Sequence, residues 1–354
     1  MGAESTNLQN KKRVYRTLCD LAAADLASLK DRMSSAYHPD VEWRGAHPLN
    51  EMKGMDAVGE DVWRPLMHAF PDLERRDLIL VGGTYQECDF VAAVGHYCGT
   101  FRNHWLTIPA TGRPIYIRYG EVHQVRDGKI VRSNCLWDIL DVIRQAGFWP
   151  IAPSLGTEGM WPGPITADGV VLYETEPTEG AANIAATLAM HRALADYDDL
   201  ENKGRDGLLT MPQKDHWHPK MMWYGPSGIG TTRGLQGFVD YHQLPFRVAL
   251  PNRQGGAQIA DSAKGGHYIR IGDGPYSVTG GWPSVRAMHL GKNFLGVGPT
   301  GREITMRVMD FYLHHEGLIR ENWVPLDILD VLMQMDIDVF DRMQSIFRRG
   351  ALPS

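Results

Sequence analysis

Two pairs of residues have the types and spacing for proton chemistry. Glu121 and His123 alternate along the stretch Tyr116-Ile117-Arg118-Tyr119-Gly120-Glu121-Val122-His123. On a strand, such alternation points both side chains, with Ile117 and Tyr119, to one face. An imidazole beside a carboxylate is what a proton shuttle needs. A later stretch, Thr305 to Tyr312, keeps a carboxylate as Asp310 and exchanges the imidazole for the phenol of Tyr312. A phenol of ordinary pKa (~10) donates hydrogen bonds at neutral pH more readily than it takes protons. The first half is therefore expected to be the more active. A face mixing Ile, Tyr, Glu and His suits a substrate cavity, although a solvent-facing strand can show the same pattern.

Other candidates are less pointed. Trp43 and Trp223 each follow a His-Pro dipeptide, His38-Pro39 and His218-Pro219. They read either as core packing or as a flat wall for a ring substrate. His216-Trp217-His218 and His314-His315 cluster imidazoles, but no third ligand has metal-site spacing, so no metal is expected. Gly272-Asp273-Gly274 and Gly280-Gly281 read as turns and bulges, not phosphate loops. No nucleotide or flavin site is indicated.

The elements that must hold these residues occur twice. Ala110-Thr111-Gly112-Arg113 matches Pro299-Thr300-Gly301-Arg302, and Trp137-Asp138-Ile139-Leu140-Asp141-Val142 matches Leu326-Asp327-Ile328-Leu329-Asp330-Val331. Gly112 and Gly301, and Asp138 and Asp327, are both 189 residues apart, while Trp43 and Trp223 are separated by 180. A repeat this long is two copies of a domain. In the first copy, apolar periodicity predicts a helix through Val14, Leu18 and Leu29, and another over Met55 to Phe70. A short strand, His38 to Arg44, lies between them. Strands are expected over Leu73 to Val81, Phe90 to Arg102, Pro114 to Val125 and Lys129 to Trp137, the last two joined by an Asp127-Gly128 hairpin. Asp138 then opens a closing helix as its N-cap. The second copy repeats this order: a helix over Ala181 to Leu200, strands between Ala257 and Trp323, and Asp327 at the closing helix. The expected division is 1–147, a packed Pro/Gly-rich linker 148–179, and 180–354. The class is α+β: in each copy a curved antiparallel sheet, packed with helices around a cavity.

Composition narrows the function. The 354 residues carry a net charge of −6 without a long basic run, which argues against nucleic acid. No apolar run reaches the ~20 residues that a membrane span needs. The four cysteines lack CxxC spacing and read as reduced thiols of a cytoplasmic protein.

The His289-Leu290-Gly291 and Phe294-Leu295-Gly296-Val297 segments, the ProThrGlyArg element, the Asp-Gly hairpin and the closing-helix Asp carry a resemblance. So does Tyr97-Cys98-Gly99-Thr100 through Ile108-Pro109-Ala110-Thr111-Gly112-Arg113. The chain resembles the SnoaL-like polyketide cyclases (ester cyclases) of the nuclear transport factor 2-like (NTF2-like) superfamily, and each copy is covered almost throughout. The resemblance implies a cone-shaped, cofactor-free cavity. It also implies an Asp at the closing helix as general acid/base, assisted by a strand histidine. That Asp falls on Asp138 and Asp327, positions that helix capping alone also favours. Where the family pattern places a histidine, the first copy has Phe101 and the second His289.

The expected catalytic residues are thus Asp138, His123, Glu121 and Asp327. The expected substrate contacts are Trp43, Tyr119, His96, His104, Trp137, Trp223, His289, Asp310 and Tyr312. The implied activity is an aldol-type cyclisation of a hydrophobic, polyketide-like carbonyl compound, or a related hydratase or isomerase reaction. The alternative is a non-catalytic small-molecule binding module built on an intrachain pseudo-dimer, with further homo-oligomerisation open. In either case the expected partner is a small hydrophobic molecule, with no nucleic acid and no membrane.

Overall fold

In a computed structural model, the structure describes residues 4–195, 200–255, 266–292 and 294–348. The chain divides into two compact units. One comprises 4–150, 162–174 and 338–348, and the other 151–161 and 175–337. The last helix, Val339–Arg348, therefore belongs to the first unit, where Gln344 donates to the Thr107 carbonyl at 2.6 Å. Within 148–179, Trp161 is buried and Met160 exposed.

The first unit opens with a helix over Thr6–Ala22, whose N-cap Ser5 accepts from Leu8 N and whose buried stripe includes Val14, Leu18 and Leu21. Its strands are β1 (Tyr37–Gly45), β2 (Glu51–Lys53), β3 (Glu74–Tyr85), β4 (Cys88–Thr100), β5 (Pro114–Arg126) and β6 (Lys129–Trp137). They form one sheet in the order β2-β1-β6-β5-β4-β3. The sheet is not purely antiparallel, because β1 runs parallel to β6. The β5–β6 hairpin turns on Asp127 (φ 50°) and Gly128 (φ 70°), the left-handed pair that a two-residue turn between twisted strands requires.

The second unit repeats the plan. Its strands are β7 (Trp217–Tyr224), β8 (Thr232–Arg233), β9 (Gln254–Gly255), β10 (His267–Asp273), β11 (Tyr276–Met288), β12 (Glu303–His315) and β13 (Leu318–Trp323). The order β8-β7-β13-β12-β11-β10 reproduces that of the first sheet, with β9 also paired to β11. Glu316 (φ 53°) and Gly317 (φ 76°) make the equivalent turn. Ala257, where the strand region was expected to begin, lies outside the described residues. The helix expected over Met55 to Phe70 is interrupted by a π-turn, Gly59–Trp63, just before Pro65, and Val239–Gln243 does the same before Pro245. Proline has no N–H for the regular helical ladder, and the wider turn accommodates that loss. No described helix is long and apolar enough to cross a membrane, and the four cysteines are free thiols.

Candidate functional site

In the first unit, β5 turns Tyr119, Glu121 and His123 to the interior, as alternation predicts. They do not line a pocket there, because the space is filled. Glu121 accepts from Arg75 Nη1 at 2.5 Å, Trp137 Nε1 at 2.8 Å and Tyr97 OH at 3.0 Å, and lies 3.3 Å from His123 Nε2. Arg75 also grips Asp77, which accepts from Tyr119 OH at 2.7 Å. His123 Nδ1 meets Ser133 Oγ at 2.9 Å. The Arg75 and Glu121 side chains are 0% and 2% exposed. Burial alone would raise the Glu121 pKa. The Arg75 charge and the hydrogen bonds from His123 and Arg75 outweigh it and hold the carboxyl well below its usual range. Trp43 is core packing, edge-on to Trp137 at 6.1 Å. A carboxylate this satisfied has no acceptor position left for a ligand.

The closing-helix aspartates sit elsewhere. Asp138 caps its helix by accepting from Asp141 N at 2.9 Å and pairs with Arg118 at 2.7 Å. Arg118 alternates with Tyr119 and so leaves β5 on the face opposite Glu121. Asp327 does the same, accepting from Asp330 N at 3.1 Å and pairing with Arg307 at 3.0 Å. The expected relay from Asp138 to His123 is therefore replaced by a cap and an ion pair on the other face. His96 packs edge-on to Tyr116, with burial and then the Arg118 charge lowering its pKa to about 4. His104 accepts from Ala110 N and orders an exposed loop. His289 is buried beside the Thr300 hydroxyl, 3.1 Å away, and does not line the cavity described next.

That cavity, of about 280 Å³, lies within the second unit. Strand registers show why it is open. Tyr97 faces Arg75 and Ile117 across its neighbours, as Val285 faces Gly255 and Met306. Gly95 lies between Asp77 and Tyr119, as Gly281 lies between His267 and Val308. Tyr119 in turn faces Trp137, as Val308 faces Leu326. Arg75, Tyr97, Tyr119 and Asp77 thus correspond to Gly255, Val285, Val308 and His267, and Trp137 corresponds to Leu326. Of these, Arg75, Tyr97, Tyr119 and Trp137 have become smaller side chains, and all four replacements line the cavity. Gly255 is fixed as glycine, since a Cβ there would lie 2.0 Å from the Ser284 carbonyl oxygen. Trp217, Trp223, Phe238 and Phe246 supply aromatic wall, with Trp223 stacked on His242 at 4.2 Å.

Asp310 and Tyr312, the counterparts of Glu121 and His123, both face this cavity. Asp310 has no arginine where Glu121 has Arg75. Burial pushes its carboxyl up to about 6, against the pull of hydrogen bonds from Tyr312 and Asn322. Tyr312 OH is 2.7 Å from His191 Nε2. Burial, with the Arg270 charge, lowers the His191 pKa to about 4, and burial and His191 hold His267 well below its usual value. Both imidazoles are neutral at pH 7. Of the sequence candidates, the structure brings together Asp310, Tyr312 and Trp223. It adds His191, His242 and His267 in this unit, and Arg75 and Asp77 in the first. The large-to-small exchange is written in the sequence, but it becomes readable only once each strand is set against its neighbour.

Residues 12–146 match the family model described as SnoaL-like polyketide cyclase. No curated protein compared with the chain matches it. Among solved structures, a SnoaL-like protein from Jannaschia sp. CCS1 is 18% identical over 40% of this chain and 95% of its own, at a TM-score of 0.33. IdmH from Streptomyces antibioticus is 19% identical, covering 39% and 99% at a TM-score of 0.33. TsrD from Streptomyces laurentii is 17% identical, covering 40% and 97% at a TM-score of 0.33. Both units are α+β domains of one strand order, and the first, through residues 12–146, matches the SnoaL-like polyketide cyclase family model.

Proposed function

We propose that the second unit is the working half: a cofactor-independent acid/base site for a hydrophobic carbonyl compound, with aldol-type cyclisation as its reaction. The observation that carries this is Asp310, a carboxylate facing an aromatic-walled cavity with no cationic partner in the place that Arg75 fills in the first unit. At a pKa of about 6 it is largely ionised at neutral pH and still basic enough to take a proton activated by a carbonyl. In the step proposed, Asp310 removes a proton from the carbon next to one carbonyl, and that carbon attacks a second carbonyl of the same molecule. The resulting alkoxide recovers the proton from Asp310. One C–C bond forms, no atom is lost and no redox partner is needed. Tyr312, held by His191, keeps the carboxylate oriented.

The test is to incubate the protein with aryl poly-β-ketones and follow isomeric products by mass-resolved chromatography. Wild type should cyclise at least one, and Asp310→Asn should lose about 10² to 10⁴ in rate. Turnover that survives in Asp310→Asn overturns the assignment. Tight binding without turnover in wild type favours the binding-module reading.

A further inference from the structure

The filled interior of the first unit outlines what the cavity of the second accepts. Around Glu121, besides His123, three side chains place hydrogen-bond donors on the carboxylate: Arg75, Tyr97 and Trp137. Their register counterparts Gly255, Val285 and Leu326 carry no side-chain donor, and each lines the cavity. Asp310 instead has Tyr312 and Asn322 beside it in the cavity lining. A carboxylate offers about four acceptor positions, so the vacated ones face the space left by the missing side chains. That space has lost three flat rings, those of Tyr97, Tyr119 and Trp137, and it retains aromatic wall.

We propose that the ligand of the second unit has a flat apolar body carrying a neutral hydrogen-bond donor, an O–H or N–H, directed at Asp310. The ligand takes the place that the first unit fills with its own side chains. This rests on the Asp310 cavity being the functional site, but not on any turnover. An anionic group would meet the Asp310 carboxylate instead of a donor. The imidazoles on this side of the cavity supply no compensating charge, since burial holds His191 and His267 neutral. The wall's arginines are engaged elsewhere: Arg247 donates to Gln243 and to the Leu194 carbonyl, and Arg253 lies over the Phe246 ring. Leaving a desolvated acceptor without its donor is unfavourable, so a ligand lacking the donor binds about tenfold or more weakly.

The experiment is equilibrium dialysis of the full chain with three probes of one ring size: 2-naphthol, 2-methoxynaphthalene and 2-naphthoate. Wild type should bind 2-naphthol about tenfold or more tightly than 2-methoxynaphthalene, with 2-naphthoate the weakest. In Asp310→Asn the preference for 2-naphthol should fall severalfold. Val308→Tyr, which restores the side chain of the first unit, should weaken all three. Val285→Tyr is a second filling variant should the first not fold. The proposal is overturned if the naphthol and its methyl ether bind equally to wild type, if the preference survives in Asp310→Asn, if 2-naphthoate binds best, or if no probe binds. Because the readout is binding, a preference for 2-naphthol without cyclisation of any polyketone would sustain this inference while removing the catalytic reading.

Discussion

Glu121 and Asp310 occupy the same register position in two sheets of one topology, and their carboxyls are shifted in opposite directions. Glu121 lies opposite Ala93, and Asp310 opposite Thr279. Glu121 is fully buried, while Asp310 is partly exposed in the cavity wall. Arg75 neutralises the first and lowers its pKa, while burial without such a partner lifts the second to about 6. One position has become a structural ion pair and the other a titratable group in a cavity.

The raised Asp310 pKa sets a pH dependence of stability. Its folded value lies above the ordinary carboxylate value of about 4, so folding favours the protonated form. That contribution is fully present below about pH 4 and is lost as pH rises through about 6. A shift of about two units corresponds to roughly 3 kcal/mol at most. Asp310→Asn should therefore gain stability relative to wild type between pH 4 and pH 7.5, read from urea unfolding at the two values. A difference that stays constant across that range would show that Asp310 titrates normally.

Arg75→Met should be strongly destabilising. It strands the Glu121 and Asp77 carboxylates in a sealed interior, and removing one partner of a buried pair typically costs about 3–5 kcal/mol. A lowering of the melting temperature of the first unit is expected, with probe binding in the second unit retained. Melting unchanged from wild type would mean that water reaches the network.

Asp138→Ala and Asp327→Ala should behave alike. Each loses an N-cap worth about 0.5–2 kcal/mol, together with an ion pair to Arg118 or Arg307. Neither should alter product formation from a polyketone once the protein is folded. A loss of kcat in Asp327→Ala without loss of melting temperature would return the closing-helix aspartate to the chemistry.

Much of this was legible locally. The repeat, the Asp127-Gly128 and Glu316-Gly317 turns, the capping by Asp138 and Asp327, and the shared face of Asp310 and Tyr312 follow from dihedral preferences, hydrogen-bond needs and strand alternation within a few residues. The asymmetry was not. An imidazole beside a carboxylate singled out the first half, yet Glu121 meets its decisive partner Arg75 from a strand 46 residues earlier. Whether a carboxylate faces space or an arginine depends on which side chains of non-adjacent strands converge, and a change of repeat offset hides that pairing in the sequence. The sequence by itself determined the two-copy α+β architecture and the strand face that each carboxylate shares with its neighbour. Tertiary structure alone decided which carboxylate is neutralised and which lies open, because burial and charge pairing act through space.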